Sequence, residues 1–183
     1  MLPADACTAL TDLARESIDH GADNGEPLPV RASDFPDVLQ QKRASFVTIR
    51  TQGKLRGCVG TLYPTRPLAV DVAYNAYRSA FKDPRFSPVT SDQVCQLDLQ
   101  ISVLSSPVVA ESESEAEVLS RVRPGIDGLI LRKGTQCAIL LPTVWGDVPE
   151  PAEFLRLLKL KAGLPPDYWS KDISLEYFRA ESW

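Results

Sequence analysis

The stretch KLRGCVG, residues 54–60, contains the residue types that could carry out chemistry. It sets a cysteine between glycines and places an arginine two positions before it. A cationic Arg56 would favour the thiolate form of Cys58 by lowering its pKa, and backbone N–H groups at Gly57 and Gly60 would be open to an anion. The pattern predicts a reactive thiol beside an anion-binding pocket. The alternative is structural, since free cysteines are often small buried apolar residues.

A second group of charges lies in the turn DPRF, where Asp83 and Arg85 flank a proline. Pro84 fixes its own φ angle, so the turn is rigid. The two charges either brace the turn through hydrogen bonds or present a charge to a ligand. We expect this turn to lie near KLRGCVG and to form one site with Cys58.

Other catalytic and metal-binding patterns are missing from the sequence. Standard dinucleotide, P-loop, zinc-protease and nucleophile-elbow motifs are absent. The single histidine, His20, is expected to bind the last carbonyls of a helix. The cysteines are far apart and lack C-x-x-C spacing, so we expect free thiols and no metal site; they are Cys7, Cys58, Cys95 and Cys137.

Composition limits the classes of function. The 183 residues carry a net charge of −4, which gives no general attraction for nucleic-acid phosphates. No apolar run is long enough to cross a bilayer, and the first residues lack the features of a secretory signal. We therefore expect a cytoplasmic protein with one principal domain over residues 1–183, with or without a small satellite lobe.

The KLRGCVG stretch is predicted to be the second strand of a hairpin. Residues 44–51 alternate as a strand does, and Gln52-Gly53 supplies the turn before the strand at residues 55–59. Strand alternation then places Arg56 and Cys58 on one face. The opposite face is expected to hold Leu55, Gly57 and Val59.

Residues 67–82 give the clearest helical pattern. The apolar face consists of small residues: Ala69, Ala73, Ala76 and Ala80. A solvated stripe is expected opposite it, at Asp71, Asn75, Arg78 and Lys82. The helix must end before Pro84. Packing of the alanine face on the sheet would then bring DPRF back to the sheet edge.

The remaining elements complete an α+β pattern. Further helices are predicted at residues 4–20, where Gly21 is expected to end the helix, and at 111–121 and 152–162. Further strands are predicted at 97–103, 129–133, 136–141 and 173–178. Hairpins mixed with helices favour a mostly antiparallel sheet with flanking helices, plus a smaller lobe, over a doubly wound fold.

Several of these stretches resemble the AMMECR family and, more closely, the A component of the AmmeMemoRadiSam system. The similar stretches occur in the same order over nearly the whole chain: LRGCVG, RPLAVDVAYNAYRSAFKDPRF, LDLQISVLSSP, RPGIDGLIL and LPTVW followed by EFLRLLKLKAGLPPDYW. The resemblance implies a mixed α+β fold with a smaller lobe. One departure is Thr143, where relatives of this subgroup usually carry glutamine.

The resemblance also implies a site and partners. It assigns Cys58, Arg56, Asp83 and Arg85 as catalytic residues, and Gly57 and Gly60 as ligand-binding residues. The system's name implies association with a Memo-like protein and a radical S-adenosylmethionine enzyme. No cofactor is expected in this chain, which lacks a three-cysteine cluster motif.

Three functions remain open on the sequence. The favoured one is an enzyme or substrate-handling component that uses Cys58 and acts on a small molecule. The alternative is a non-catalytic ligand- or protein-binding module that docks through the LRGCVG strand. A nucleic-acid-associated domain is disfavoured by the acidic balance of charge.

Overall fold

The computed structural model describes residues 1–110 and 114–183. The chain forms two compact units, Met1–Leu104 with Glu181–Trp183, and Ser105–Ala180. Each unit contains a four-stranded sheet together with helices, which confirms the predicted α+β class. The expected single domain stays a prediction.

The α-helices in the described residues are α1 (Ala4–Asn24), α2 (Asp37–Gln40), α3 (Leu68–Phe81), α4 (Ser91–Val94), α5 (Glu115–Arg121) and α6 (Pro151–Lys161). The strands are β1 (Ser45–Thr51), β2 (Lys54–Gly60), β3 (Asp98–Leu104), β4 (Val108–Val109), β5 (Gly128–Lys133), β6 (Gln136–Leu140), β7 (Ser174–Phe178) and β8 (Ala180–Ser182).

The first unit packs α1 and α3 against the sheet β2-β1-β3-β8. The predicted hairpin is confirmed: Gln52 and Gly53, with φ of 52° and 74°, join β1 to β2. The alanine face of α3 is buried as predicted. It packs against alternate side chains of β1, including Val47 and Ile49, which face the helices. Small side chains on α3 therefore let its backbone approach the sheet closely.

Helix α1 continues past the glycine that was expected to end it. Gly21 is buried inside the helix, and Gly25, at φ 74°, forms the left-handed cap. A Cβ atom at position 21 would lie 2.5 Å from Cε2 of Phe81 and 2.7 Å from Cδ2 of Tyr77. The prediction was wrong because Gly21 provides room for the side chains of α3 rather than a turn.

The polar stripe of α3 is not solvated at Asp71 and Asn75, contrary to the prediction. Both residues are fully buried. The Asp71 carboxylate accepts hydrogen bonds from the backbone N–H of Ser45 at 2.9 Å, the Ser45 hydroxyl at 2.7 Å and the Thr61 hydroxyl at 2.8 Å. Burial raises the pKa of Asp71, and these hydrogen bonds oppose the rise. The stripe therefore joins α3 to the start of β1.

A β-bulge interrupts the alternation of β2. Arg50 pairs with Leu55 and Ile49 pairs with Gly57, so Arg56 is an extra residue without a partner on β1. Paired residues share a face of the sheet, and a bulge shifts the alternation by one residue. Leu55 therefore lies on the face of Cys58, whereas Gly57 and Val59 face the helices. The predicted common face of Leu55, Gly57 and Val59 was wrong.

The hydroxyl of Ser79 on α3 bridges β1 and β2. It donates to the carbonyl of Val47 at 2.7 Å and accepts from the N–H of Val59 at 2.9 Å. Val47 and Val59 are paired across the two strands. One helix side chain thus completes the hydrogen bonding between two strands at this point.

We predict that Ser79→Ala lowers the free energy of unfolding by about 1–2 kcal/mol, because it removes two hydrogen bonds from buried backbone groups. Urea unfolding measures the change. Ser120→Ala is the matched control, since the exposed Ser120 hydroxyl donates to a carbonyl of its own helix, that of Glu117. Equal stability of the two variants would contradict the bridging role.

The second unit packs α5 and α6 against the sheet β4-β7-β5-β6. The predicted hairpin of β5 and β6 is confirmed, with Gly134 at φ 58° in its turn. Trp145 stacks on Phe154 with ring centroids 3.8 Å apart, and its Nε1 donates to the carbonyl of Asp127 at 2.7 Å. Of the helix predicted at 111–121, residues 111–113 lie outside the described residues, and α5 covers the rest from Glu115.

Candidate functional site

Strand β2 and the DPRF turn meet at the backbone of Cys58. The Cys58 N–H donates to Oδ2 of Asp83 at 2.9 Å. Nη2 of Arg85 donates to the Cys58 carbonyl at 3.2 Å. The predicted proximity of the two motifs is confirmed, and both backbone groups of one residue are bound by one turn.

The end of α3 explains this position. Pro84 disfavours helical geometry at Asp83, and α3 ends at Phe81. The chain then turns back, and the N–H of Val89 donates to the carbonyl of Ala80 at 2.9 Å. The Asp83 carboxylate is thereby left buried against β2, with 3% of its side chain exposed.

Asp83 and Arg85 form a bidentate ion pair. Nε of Arg85 donates to Oδ1 of Asp83 at 2.9 Å, and Nη2 donates to Oδ2 at 2.6 Å. The hydrogen bond from Arg85 is the main cause that lowers the pKa of Asp83 to about 2, against the effect of burial. Half of the Arg85 side chain is exposed. The site therefore has a fixed buried anion beneath a guanidinium that a ligand can reach.

The thiol of Cys58 is half-buried and free of disulfide bonding. The hydroxyl of Thr48, the residue opposite Cys58 on β1, donates to its sulfur at 3.3 Å. A donor directed at the sulfur stabilises negative charge that a reaction places there. Thr48 is a residue that the sequence analysis did not select.

Arg56 takes a different role from Arg85. Its Nη2 donates to the carbonyl of Pro88 at 3.2 Å, just after the DPRF turn. Its Nη1 is buried and has no hydrogen-bond partner among the residues described. The bulge at Arg56 thus connects β2 to the chain beyond Arg85, and the described hydrogen bonds of Arg56 do not run to Cys58.

The two glycines of the motif lie against other parts of the first unit. A Cβ atom at Gly57 would overlap the backbone carbonyl of Ser79, and one at Gly60 would overlap the ring of Phe46. Glycine at both positions is therefore explained by close packing. Their assignment as ligand-binding residues stays a prediction.

Over residues 1–110 and 114–183, His, Cys, Asp and Glu side chains form no group of three that could hold a metal ion. Within those residues, no helix has both the length and the apolar character needed to span a bilayer.

Comparison with known proteins shows similarity over most of the chain. The AMMECR1 family model matches residues 11–183. A protein of Methanothermobacter thermautotrophicus is 38% identical over 184 residues, covering 98% of this chain and 94% of that protein. A protein of Thermotoga maritima is 39% identical over 149 residues and 80% of each chain is covered. The crystal structure of the uncharacterized protein PH0010 from Pyrococcus horikoshii gives a TM-score of 0.88 at 35% identity, covering 94% of this chain and 88% of that one.

Proposed function

The chain belongs to the AMMECR1 family, and from that premise we propose that it is an enzyme or substrate-handling component whose working group is the thiol of Cys58. One observation carries the proposal: the Asp83–Arg85 pair binds both backbone groups of Cys58. Such support fixes the position of a side chain, as a site that handles a substrate requires. A cysteine with a purely structural role needs no such support.

The proposed substrate is a small molecule with an anionic group. The exposed half of Arg85 binds that group, because a guanidinium that already neutralises Asp83 can still donate further hydrogen bonds. Cys58 contacts the other end of the molecule, with Thr48 donating to its sulfur. Asp83 and Arg56 act as positioning residues, the first through Arg85 and the second through Pro88.

The proposal extends to a shared modification pathway with a Memo-like protein and a radical S-adenosylmethionine enzyme in the cytoplasm. The resemblance of the LRGCVG and DPRF motifs supports this partnership, and four free thiols are in keeping with a reducing compartment. If the three proteins co-purify from cells, and the other two no longer do so in cells that lack this chain, the partnership is supported. If they do not co-purify even after crosslinking, the partnership is contradicted.

A pair of alkylating reagents tests the site. Iodoacetate and iodoacetamide are similar in size, but only iodoacetate is anionic. We expect the ratio of the iodoacetate rate to the iodoacetamide rate to be about 5-fold higher at Cys58 than at Cys95 and Cys137, since Arg85 can donate further hydrogen bonds to the carboxylate of iodoacetate. Mass spectrometry of the folded protein gives the rate at each thiol. Cys95 and Cys137 are the more exposed thiols. Accessibility affects the two reagents alike, so accessibility alone predicts equal ratios at the three thiols.

Two variants make the alkylation test specific. Arg85→Gln should reduce the ratio at Cys58 to that of the other thiols, whereas Arg31→Gln, at an exposed arginine, should leave it unchanged. Equal ratios at the three thiols in the unaltered protein would reject anion handling by Arg85. A folded protein in which Cys58 does not react would reject the role of the thiol.

The second candidate function is a non-catalytic ligand- or protein-binding module. It is favoured by the close packing at Gly57 and Gly60, which accounts for both glycines without a ligand. In that case Cys58 is a structural residue beneath a docking surface. An unreactive Cys58 in the alkylation experiment would make this the leading function.

A further inference from the structure

The second unit contains a cavity of about 650 Å³ that the Cys58 site does not use. The segment Ser105 to Val108, the end of α5 and the end of β7 contribute to its walls. All of its lining residues belong to the second unit. Its volume lies within the range of small-molecule sites, about 300–1,000 Å³. The cavity is therefore large enough to hold a small molecule.

The wall of the cavity carries an ion pair and an additional cation. Nε of Arg123 donates to Oδ2 of Asp127 at 2.8 Å. Burial acts to raise the pKa of Asp127, but the hydrogen bonds from Arg123 outweigh it and the pKa is lowered, so the carboxylate is ionised at neutral pH. Arg179 is the additional cation, and its charge also attracts this carboxylate. Since two cations meet one carboxylate, these three groups together carry one positive charge.

The guanidinium of Arg179 is available to a ligand. Arg179 is exposed, and its backbone is held by Ser105, whose N–H donates to the Arg179 carbonyl at 2.8 Å and whose hydroxyl accepts from the Arg179 N–H at 3.0 Å. Among the described residues, its guanidinium makes no ion pair or hydrogen bond. A guanidinium presents its N–H donors in a planar fork. Arg179 can therefore direct two parallel donors at one ligand group from a fixed point of the chain.

Tyr177 supplies a further donor to the cavity. Its hydroxyl is buried and has no hydrogen-bond partner in the described residues. Burial raises the pKa of this hydroxyl, so it stays protonated at neutral pH and can donate. A buried donor without a partner is unfavourable, because it has lost its hydrogen bonds to water. An acceptor atom of a ligand would restore the missing bond.

An apolar surface lies beside these donors. Val108 pairs with Tyr177 across β4 and β7, and paired residues share a face of the sheet. Both residues line the cavity. Val108 is 66% exposed, so its side chain is open to a ligand. The Val108 side chain and the Tyr177 ring therefore form a wall that suits an apolar body.

We propose that this cavity binds a carboxylate carried by a flat apolar body. A carboxylate has one negative charge at neutral pH, which matches the one positive charge of Arg123, Arg179 and Asp127. Its two oxygens lie in one plane and accept the parallel donors of the Arg179 guanidinium. The Tyr177 hydroxyl donates to a remaining lone pair of the carboxylate. The apolar body lies against Val108 and the Tyr177 ring.

A phosphate monoester fits the same wall less well. It is close to a dianion at neutral pH, so it requires a second cation. Arg123 is bound to Asp127, and Arg121, which also lines the cavity, already has an interaction of its own. Neither arginine is free to balance the second charge. The proposed ligand is therefore a monoanion rather than a dianion.

Four probes test the ligand class by calorimetry on the full chain at pH 7 and low salt: phenylacetate, phenylacetamide, acetate and benzyl phosphate. We expect phenylacetate to bind about 10-fold more tightly than phenylacetamide, which lacks the charge, and than acetate, which lacks the apolar body. Benzyl phosphate carries the same ring. It should bind no more tightly than phenylacetate, because its second charge meets no free cation.

Two variants test the assigned residues. Arg179→Gln should weaken phenylacetate binding about 10-fold, through loss of the paired donors. Tyr177→Phe should weaken it about 5-fold, through loss of one hydrogen bond to a charged group. In the ligand-free protein, Tyr177→Phe should leave the stability in urea unchanged or raised, because the hydroxyl has no partner there. A loss of stability in this variant would assign the hydroxyl to the fold and overturn its role as a ligand donor.

Matched controls keep this test separate from the Cys58 proposal. Lys171→Gln removes an exposed positive charge of the second unit outside the cavity wall, and Cys58→Ser removes the thiol. Both should bind phenylacetate as the unaltered protein does, and circular dichroism should show that Arg179→Gln is folded. Tighter binding of benzyl phosphate, or equal binding of phenylacetamide or acetate, would overturn the ligand class. No binding of phenylacetate, or binding unaffected by Arg179→Gln and Tyr177→Phe, would overturn the site itself.

Discussion

Gly57→Ala is expected to lower the free energy of unfolding by about 3 kcal/mol or more. The new Cβ atom would overlap the Ser79 carbonyl and lie 3.1 Å from Cδ1 of Ile49. A backbone carbonyl cannot rotate away as a side chain can, so β2 and α3 must separate. Separation would also strain the Ser79 hydroxyl bridge between β1 and β2.

Gly146→Ala is the control for this substitution. A Cβ atom at Gly146 has no heavy atom within 4 Å, and its φ does not lie in the left-handed region. Its stability in urea should stay the same or rise slightly, because alanine restricts the unfolded chain. A loss below about 1 kcal/mol for Gly57→Ala would show that the packing of α3 on β2 is not tight.

Asp83→Asn is expected to lower the free energy of unfolding by about 2–3 kcal/mol at pH 7. The variant loses the ion pair with Arg85 and offers a neutral acceptor in place of a charged one to the N–H of Cys58. The control is Asp12→Asn at an exposed helical position. Since Asp12 lies on the solvent side of α1, its replacement should change stability by less than about 0.5 kcal/mol.

The contribution of Asp83 has a defined pH range. Its pKa falls from 3.8 to about 2 on folding, so the unfolded chain binds this proton more readily than the folded one. The stabilisation is fully present above pH 3.8 and is lost as the pH falls through about 2. The difference corresponds to roughly 2 kcal/mol.

Unfolding measured from pH 5 to pH 2 checks this behaviour. The stability gap between the unaltered protein and Asp83→Asn should narrow by about 2 kcal/mol as the pH falls over that range. The gap between the unaltered protein and Asp12→Asn should stay nearly constant. A gap for Asp83→Asn that does not depend on pH would mean that its ion pair contributes little to stability.

The elements that local chemistry determines were predicted correctly. The hairpin of β1 and β2 was identified because Gly53 favours the left-handed backbone of its turn. Helix α3 was identified because its apolar residues recur at helical spacing, and Pro84 ends it. Placing DPRF beside KLRGCVG required only that this helix pack on the sheet.

The bulge at Arg56 was not predictable in the same way. Regular pairing from the Thr51–Lys54 end would place Thr48 opposite Gly57, whereas the bulge places it opposite Cys58. The bulge depends on contacts distant in sequence, including the Arg56 hydrogen bond to Pro88. Counting residues from the turn of the hairpin therefore could not identify Thr48 as the residue that donates to the Cys58 thiol.

The buried stripe of α3 shows a second limit of sequence patterns. Asp71 and Asn75 are polar at helical spacing, which usually indicates solvent. Their burial depends on partners supplied by other elements, namely Ser45 on β1 and Thr61 after β2. Periodicity indicates which residues share a face, but it does not reveal whether a polar face is solvated or satisfied by buried partners.

The side chains of Asp83 and Arg85 also cover part of the edge of the first unit's sheet. Strand β2 lies at one edge of that sheet, and an open edge offers free N–H and C=O groups to strands of other molecules. At Cys58 both groups are already occupied, by Asp83 and Arg85. Another chain therefore cannot extend the sheet by β-pairing at this residue, and the DPRF turn protects the protein against edge-to-edge aggregation.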